Sequence, residues 1–378
     1  MTSLEKDNIF VILKTKYLAM HFDLPIIQPT VKGRGAMINT QNRFSNEVRD
    51  EKPWIWDWEG EDINLKTQFI DTYPKTIVNK VDSPDVGLEY SLNPYQGCEH
   101  GCVYCYARNT HPYWGYSAGL DFETKILVKR NAPELLEKLL KSKTWQGYPI
   151  MLSGNTDCYQ PIEKQLEITR SLLKVFLKYK HPVGIVTKNA LILRDLDILK
   201  ELNKHKLISV AISLNTLDED LRRVLEPRTS SVQKRIETIR ALSKEGIPVT
   251  ALAAPIIPGL NDTDILPLAK KVSEAGARRL AHIVVRLNGD LAEIFTNWLE
   301  HIYPDRKEKV LNKIKSLFGG KLGSSQFVER MKGSGKIADI IHQQFDMAKK
   351  LYMLKDEKFQ YNLDLYRARS GQQLELFA

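Results

Sequence analysis

Cys98-Glu99-His100-Gly101-Cys102-Val103-Tyr104-Cys105 holds three of the chain's four cysteines within eight residues. That spacing offers a metal three thiolates and not four. A [4Fe–4S] cluster ordinarily takes one cysteine per iron, so three would leave one iron with an open coordination position, where chemistry can occur. A closed structural zinc site needs a fourth ligand, which His100 or His111 would supply. Ordinary buried thiols are the third reading of the same residues. An odd local count in a cysteine-poor chain argues against disulfides and for a reducing compartment.

Outward from this loop, regular patterning begins near residue 85. Short apolar, β-branched runs recur at Leu88–Leu92, Pro149–Leu152, Val183–Val186, Leu207–Leu214, Val249–Ala253 and His282–Leu287. Helical spacing separates them: Ile192, Leu196 and Leu199, then Val232, Ile236, Ile239 and Leu242. Leu166, Leu173 and Phe176 fit one face of a long helix over Ile162–Lys180. Six strands alternating with helices predict an α/β fold with a parallel sheet, an open or partial (β/α)6 TIM-like barrel and not a full eight-unit one.

In such barrels chemistry collects where strands end. Those ends carry Ser153-Gly154-Asn155-Thr156-Asp157, Thr187-Lys188-Asn189, Ser213-Leu214-Asn215, Pro255 to Pro258 with Gly259 and Asn261, and Arg286 with Asn288. The same residue types also cap helices.

Three regions are expected: an irregular N-terminal extension over 1–80, the barrel over 81–290, and a helical region over 291–378 ending in a flexible tail. In the extension, Trp54, Trp56 and Trp58 alternate with Ile55 and Asp57, as a packing strand or an aromatic platform would. Lys32-Gly33-Arg34-Gly35-Ala36 reads as a flexible basic loop. Beyond the barrel, Leu291–Leu317 and Ile337–Leu354 read as helices joined by the glycine-rich Gly319–Ser325.

The 378 residues are 43% hydrophobic and 27% charged, the balance of a soluble globular protein. No apolar run spans a membrane; the longest, Ile247 to Leu260, is broken by Pro248, Pro255 and Pro258. Without a basic, then apolar, leader pattern the expected place is the cytoplasm. The net charge of +9 suits a polyanionic partner. Residues 301–350 hold eleven Lys/Arg against five Asp/Glu, either a solvated helix face or a phosphate-tracking surface.

Cys-x3-Cys-x2-Cys after a first strand, with aromatic Tyr104 before the last cysteine, resembles the radical S-adenosylmethionine (SAM) superfamily. The longer stretch Asn93–Arg108, with Thr156-Asp157-Cys158-Tyr159-Gln160-Pro161-Ile162-Glu163, Ser117–Lys125 and Met331–Gly335, resembles its spore photoproduct lyase-related, DNA repair photolyase-like branch. The resemblance implies that Cys98, Cys102 and Cys105 hold a [4Fe–4S] cluster whose free iron chelates S-adenosylmethionine. An electron, from a reductant such as flavodoxin or ferredoxin, would then release a 5′-deoxyadenosyl radical.

By the same resemblance Ser153 and Asn155, in the Ser153–Thr156 loop, lie near the methionine amino group. Thr187, Lys188, Ser213 and Asn215 lie near carboxylate and ribose, and Ile256–Gly259 near adenine. Arg286 is a further carboxylate candidate by its charge. Cys158 is either a hydrogen-atom donor, as a cysteine after the second strand is in the lyase, or a packed thiol. It is the one cysteine left over, so a second Cys-ligated cluster cannot be built. The expected substrate is nucleic acid, with a lesion-repair lyase reaction. The alternatives are radical chemistry on a small molecule or peptide, and a non-enzymatic metal-containing nucleic-acid-binding module. Gln373-Leu374-Glu375-Leu376-Phe377 is similar to the motif by which bacterial repair proteins dock on the sliding clamp of replication.

Overall fold

The apolar runs assemble into one sheet. In the computed structural model, which describes residues 31–44, 65–87, 89–353 and 359–366, ten strands form two sheets. The strands are β1 (Gln68–Thr72), β2 (Val78–Lys80), β3 (Tyr90–Leu92), β4 (Tyr95–Gln96), β5 (Lys125–Lys129), β6 (Ile150–Leu152), β7 (Val183–Thr187), β8 (Ile208–Ser213), β9 (Val249–Ile256) and β10 (Arg279–Val284).

The larger sheet runs β10-β9-β8-β7-β6-β3-β2. Its six strands from β3 to β10 are all parallel and match the six predicted runs; β2 adds an antiparallel edge against β3. Among the described residues the two edges do not meet, so the barrel is open. The smaller sheet, β1-β5-β4, lies outside the alternation.

Between the strands run α1 (Ala132–Lys141), α2 (Ile168–Lys178), α3 (Leu196–Lys204), α4 (Val232–Lys244) and α5 (Ile265–Glu274). Each turns an apolar stripe inward. Helix α2, for example, buries Ile168, Leu172, Leu173 and Phe176, about 1.5–3 kcal/mol for each large side chain. The C-terminal region forms α6 (Leu291–Ile302), α7 (Lys307–Ser316) and α8 (Gly335–Tyr352).

Four expectations are corrected. The helix over Ile162–Lys180 breaks at Glu167 (φ 51°), which lets buried Glu163 accept from the Tyr95 hydroxyl at 2.5 Å and the Thr169 amide at 3.0 Å. The helix over Leu291–Leu317 breaks before Pro304, which has no amide hydrogen to continue it. The last strand begins three residues early, at Arg279, and bulges between His282 and Val284, leaving Arg286 beyond its end.

The fourth correction concerns Lys32–Ala36, which is no loose loop. Glu123 accepts the amides of Gly35 (3.0 Å) and Ala36 (2.8 Å), and a Cβ on Gly35 would stand 1.8 Å from the Gly101 carbonyl oxygen. Only glycine allows that approach.

Trp54, Trp56, Trp58 and the Gln373–Phe377 segment lie outside the described residues. No helix among the described residues is long and apolar enough to cross a membrane.

Candidate functional site

The cysteine loop leaves β4 and is held from three sides. The Cys98 amide donates to the Phe122 carbonyl at 2.8 Å, and the Val103 amide to the Leu225 carbonyl at 3.1 Å. Fully buried Arg108 donates to the carbonyls of Cys102 (2.9 Å) and Gly101 (3.1 Å) and pairs with buried Glu123. The backbone carbonyls that bend round the thiols are thus fixed by one guanidinium, and that guanidinium by one carboxylate.

Cys98 and Cys102 are buried, Cys105 is partly so, and all are free. Burial pushes the Cys102 and Cys105 thiols up; nearby Glu226 adds to this at Cys102 and Cys98 at Cys105, while Lys188 opposes it at both. Burial acts to lower Lys188, yet Cys102 and Glu226 outweigh it and hold the ammonium above its usual value. A cation facing two thiols favours thiolates, the form that ligates metal.

Among the described residues no three His, Cys, Asp or Glu side chains close on a single ion. Neither candidate histidine completes a zinc knot. His100 Nδ1 lies 3.3 Å from Asp157, and His111 is packed between the rings of Tyr116 and Phe122. Burial lowers His100, but Asp157 and Cys98 raise it to about 9; burial raises Asp157, but His100 brings it down to about 2. The pair is therefore ionic.

Around the thiols the strand ends bring together most of the predicted residues. Asp157 accepts from the Thr187 hydroxyl (2.7 Å) and the Lys188 amide (2.8 Å). The Tyr104 hydroxyl bonds Glu226, and Asn215 Nδ2 reaches that hydroxyl at 3.5 Å. Lys188 Nζ stands 5.9 Å from the Tyr104 ring centre. Asn215 Oδ1 is buried with no partner in the described structure. Ser213 Oγ is turned to the Ala254 carbonyl at 3.4 Å, and Arg235 binds the Ser213 carbonyl at 3.0 Å.

Ser153 and Asn155 sit in a loop pinned by Asn93, whose Oδ1 accepts the amides of Gly154 (2.7 Å) and Asn155 (2.8 Å). Ser153 itself has φ 78°, and its Oγ accepts the Cys158 amide at 2.9 Å.

Arg286 lies over the ring of Tyr106 at 5.6 Å and contacts Met331; Tyr106 follows Cys105 and its hydroxyl bonds the Gly154 carbonyl, so Arg286 borders the same group. Cys158 is fully buried in the core, and burial pushes its thiol far up. The structure presents it as a packed neutral thiol.

Sequence reasoning missed Glu226 and Arg235, a fully buried pair 2.5 Å apart under Tyr104. Glu226 sits in Leu225-Glu226-Pro227, and an acid between an apolar residue and a proline was the available signal. The basic stretch 301–350 is partly neutralised: Lys307 faces Glu300 (3.3 Å), Lys313 faces Asp262 (3.6 Å) and Arg330 faces Asp85 (2.6 Å).

The family described as the Radical SAM superfamily matches residues 92–272. An uncharacterised protein of Methanocaldococcus jannaschii is 32% identical over 252 residues, covering 66% of this chain and 90% of that protein. A protein of Pseudomonas phage M6 named radical SAM Nα-GlyT isomerase is 28% identical over 198 residues, 51% of this chain and 38% of that protein. Spore photoproduct lyase, solved with bound AdoMet and a dinucleoside spore photoproduct, superposes with a TM-score of 0.55 at 18% identity, over 76% of this chain and 80% of that one. At that identity the likeness is one of fold.

Proposed function

The chain belongs to the radical SAM superfamily, and we propose that it is a [4Fe–4S] enzyme that cleaves S-adenosylmethionine reductively and acts on nucleic acid as a repair-type lyase. The observation that carries this reading is the gathering of three free thiols, Lys188, Tyr104 and Asn215 at the strand ends of an open parallel barrel. When bound, the cluster supplies one electron to the sulfonium of S-adenosylmethionine, breaking its C5′–S bond to give methionine and a 5′-deoxyadenosyl radical.

The chain's own residues position this chemistry. Cys98, Cys102 and Cys105 would hold the cluster through their thiolates. Lys188 offers a cation to the methionine carboxylate, and Asn215 Oδ1 offers a buried acceptor to a ribose hydroxyl or ammonium. The Ser153–Thr156 loop, fixed by Asn93, borders the amino group. Ile256 and Ile257, both buried, exclude water beside the adenine. Cys158 acts as packing, since a donor must meet its substrate and this thiol has no exposed surface.

Support for nucleic acid comes from the +9 charge and from the fold shared with a lyase that carries a dinucleoside. The electron comes from a small acidic carrier of the flavodoxin or ferredoxin kind. The Gln373–Phe377 segment is proposed as a sliding-clamp ligand; absence of clamp binding by that peptide in fluorescence polarisation removes it.

Anaerobic reconstitution tests the main reading. Reduced protein with S-adenosylmethionine is expected to release 5′-deoxyadenosine, and Cys98→Ala to lose both the cluster absorbance and the product. Cleavage that survives Cys98→Ala overturns the ligand assignment. Lys188→Met is expected to keep the cluster absorbance while lowering S-adenosylmethionine affinity, measured by calorimetry, by tenfold or more on the order of one lost charge-assisted contact. Salt-dependent binding of DNA or RNA separates the polymer substrate from a small molecule or peptide.

A further inference from the structure

Residues 31–44 run from the cysteine loop, where Gly35 meets Gly101, to the segment 112–121, which Asn39, Thr40 and Asn42 bond. Their middle is pinned: Gly35 abuts Gly101, and the Leu120 amide donates to the Ile38 carbonyl at 3.1 Å. Their ends are exposed and carry two different surfaces.

At one end is a concave site of about 400 Å3 lined by Lys32, Arg34, Lys66, Thr67 and Arg228. Arg34 is nine-tenths buried and donates to the Leu65 carbonyl (2.7 Å), Thr67 Oγ1 (2.9 Å) and the Glu123 carbonyl (2.8 Å), so it joins the two stretches that form the walls. Arg228 donates to Thr67 Oγ1 at 3.5 Å and pairs with Glu99 at 3.4 Å. Lys32 and Lys66 are exposed and have no ion-pair partner among the described residues. Among the described residues, four cations thus face the carboxylate of Glu99, and Glu123 is taken up by Arg108. Burial, and then the neighbouring Arg228, lower the proton affinity of Arg34, while Glu123 and Glu99 oppose them.

At the other end, Asn42 Nδ2 bonds the Pro112 carbonyl (3.0 Å) and the Tyr116 carbonyl (3.4 Å), which sets Phe44 against Tyr113. Their ring centres are 4.6 Å apart at 30°, although Phe44 is 55% and Tyr113 68% exposed. Arg43 lies over both rings, at 4.9 and 5.7 Å, and exposed Trp114 follows directly. Single exposed rings are ordinary, but a close, tilted pair capped by a guanidinium is a surface for another flat π-system.

We propose that this strap is a track for single-stranded nucleic acid, with a phosphate seat at Lys32, Lys66 and Arg228 and a base-stacking platform at Phe44 and Tyr113. The proposal rests on the nucleic-acid reading above. An acidic protein would use the cations and leave the rings bare. Only an unpaired strand brings phosphates and free base faces together, and stacking of this kind tolerates any base.

The test is fluorescence anisotropy with a labelled single strand of about 12 nucleotides, within the site sizes such grooves take, and with the same sequence as a duplex. Reconstituted wild-type protein is expected to prefer the single strand. Lys32→Gln with Lys66→Gln is expected to weaken binding and to flatten the dependence of log K on log salt by about 1.4, near 0.7 for each lost phosphate contact. Phe44→Ala with Tyr113→Ala is expected to weaken single-strand binding about tenfold or more and to leave the salt slope unchanged. Arg306→Gln with Lys309→Gln, on the exposed C-terminal surface, is the control for general charge and is expected to change neither the slope nor the affinity by as much. If the wild type binds no nucleic acid even at low salt, the substrate reading fails and the track with it. If the wild type binds and neither strap variant differs from the control, the track alone is overturned, as it is by tighter binding of duplex.

Discussion

At the C-terminal ends of β6, β7 and β8 the space is filled by charges that hold one another; at the N-terminal ends of the same strands it is filled by rings. The upper set contains His100 with Asp157, Glu226 with Arg235, and Lys188 among thiols. The lower set contains Trp145, whose Nε1 donates to His181 Nε2 at 2.9 Å, with Phe176 and Tyr366 packed round that imidazole. Tyr366 Oη reaches the Leu140 carbonyl at 3.0 Å, and Tyr361 meets Ser209 at 2.5 Å, so residues 359–366 cover that end. Buried rings stabilise by area and packing. Buried ion pairs are weak contributors to net stability, because desolvation opposes their attraction.

The comparison breaks hardest at Arg235. Arg235→Ala takes from buried Glu226 its ion-pair partner and leaves it the Tyr104 hydroxyl and the field of Lys188, and urea unfolding is expected to show a loss of about 3 kcal/mol. Replacing Arg235 and Glu226 together by methionine is expected to restore most of that stability while abolishing the support under Tyr104, so stability and S-adenosylmethionine cleavage part company. Equal damage from the single and double variants would mean that the pair is structural in the same sense as the rings.

The lower end has a pH signature. Indole only donates, so His181 Nε2 accepts and Nδ1 carries the hydrogen that faces the Pro182 carbonyl at 2.9 Å. The imidazole is held neutral, and burial takes it down to about 3. The unfolded chain therefore takes up this proton first as pH falls below about 6.5, and stability is lost down to the folded value. Unfolding free energy is expected to drop by about 2 kcal/mol between pH 7 and pH 5 from this group alone. His181→Phe should flatten that slope, and an unchanged slope would place the titration elsewhere. The smallest expected effect is Tyr366→Phe, about 1 kcal/mol for one lost hydrogen bond, read from the same urea curves.

The two ends also differ in how far they could be read from the chain. The cysteine spacing, the six strand runs and the polar strand-end residues are local patterns, and they point to the open barrel and to Tyr104, Lys188 and Asn215 beside the thiols. Glu226 and Arg235 are not local in this way. A lone acid before a proline and a lone arginine on a helix look like solvated charges until the fold brings them together. Arg286 was chosen for its sign and its expected strand end, and after the bulge in β10 it lies beyond that end, over the Tyr106 ring. Lys32–Ala36 read as a loose loop because its partner, Glu123, lies 87 residues further on from Ala36.

That separation has a consequence for assembly. The strap leaves the ribosome early, and the carboxylate that latches it, together with the Arg108 that curls the thiol loop, leaves much later. The cysteines are therefore made while their outer wall is still unfastened. Strap and thiol turn thus fasten on one buried carboxylate, and the N-terminal segment is a door bolt that cannot be drawn until residue 123 is in place.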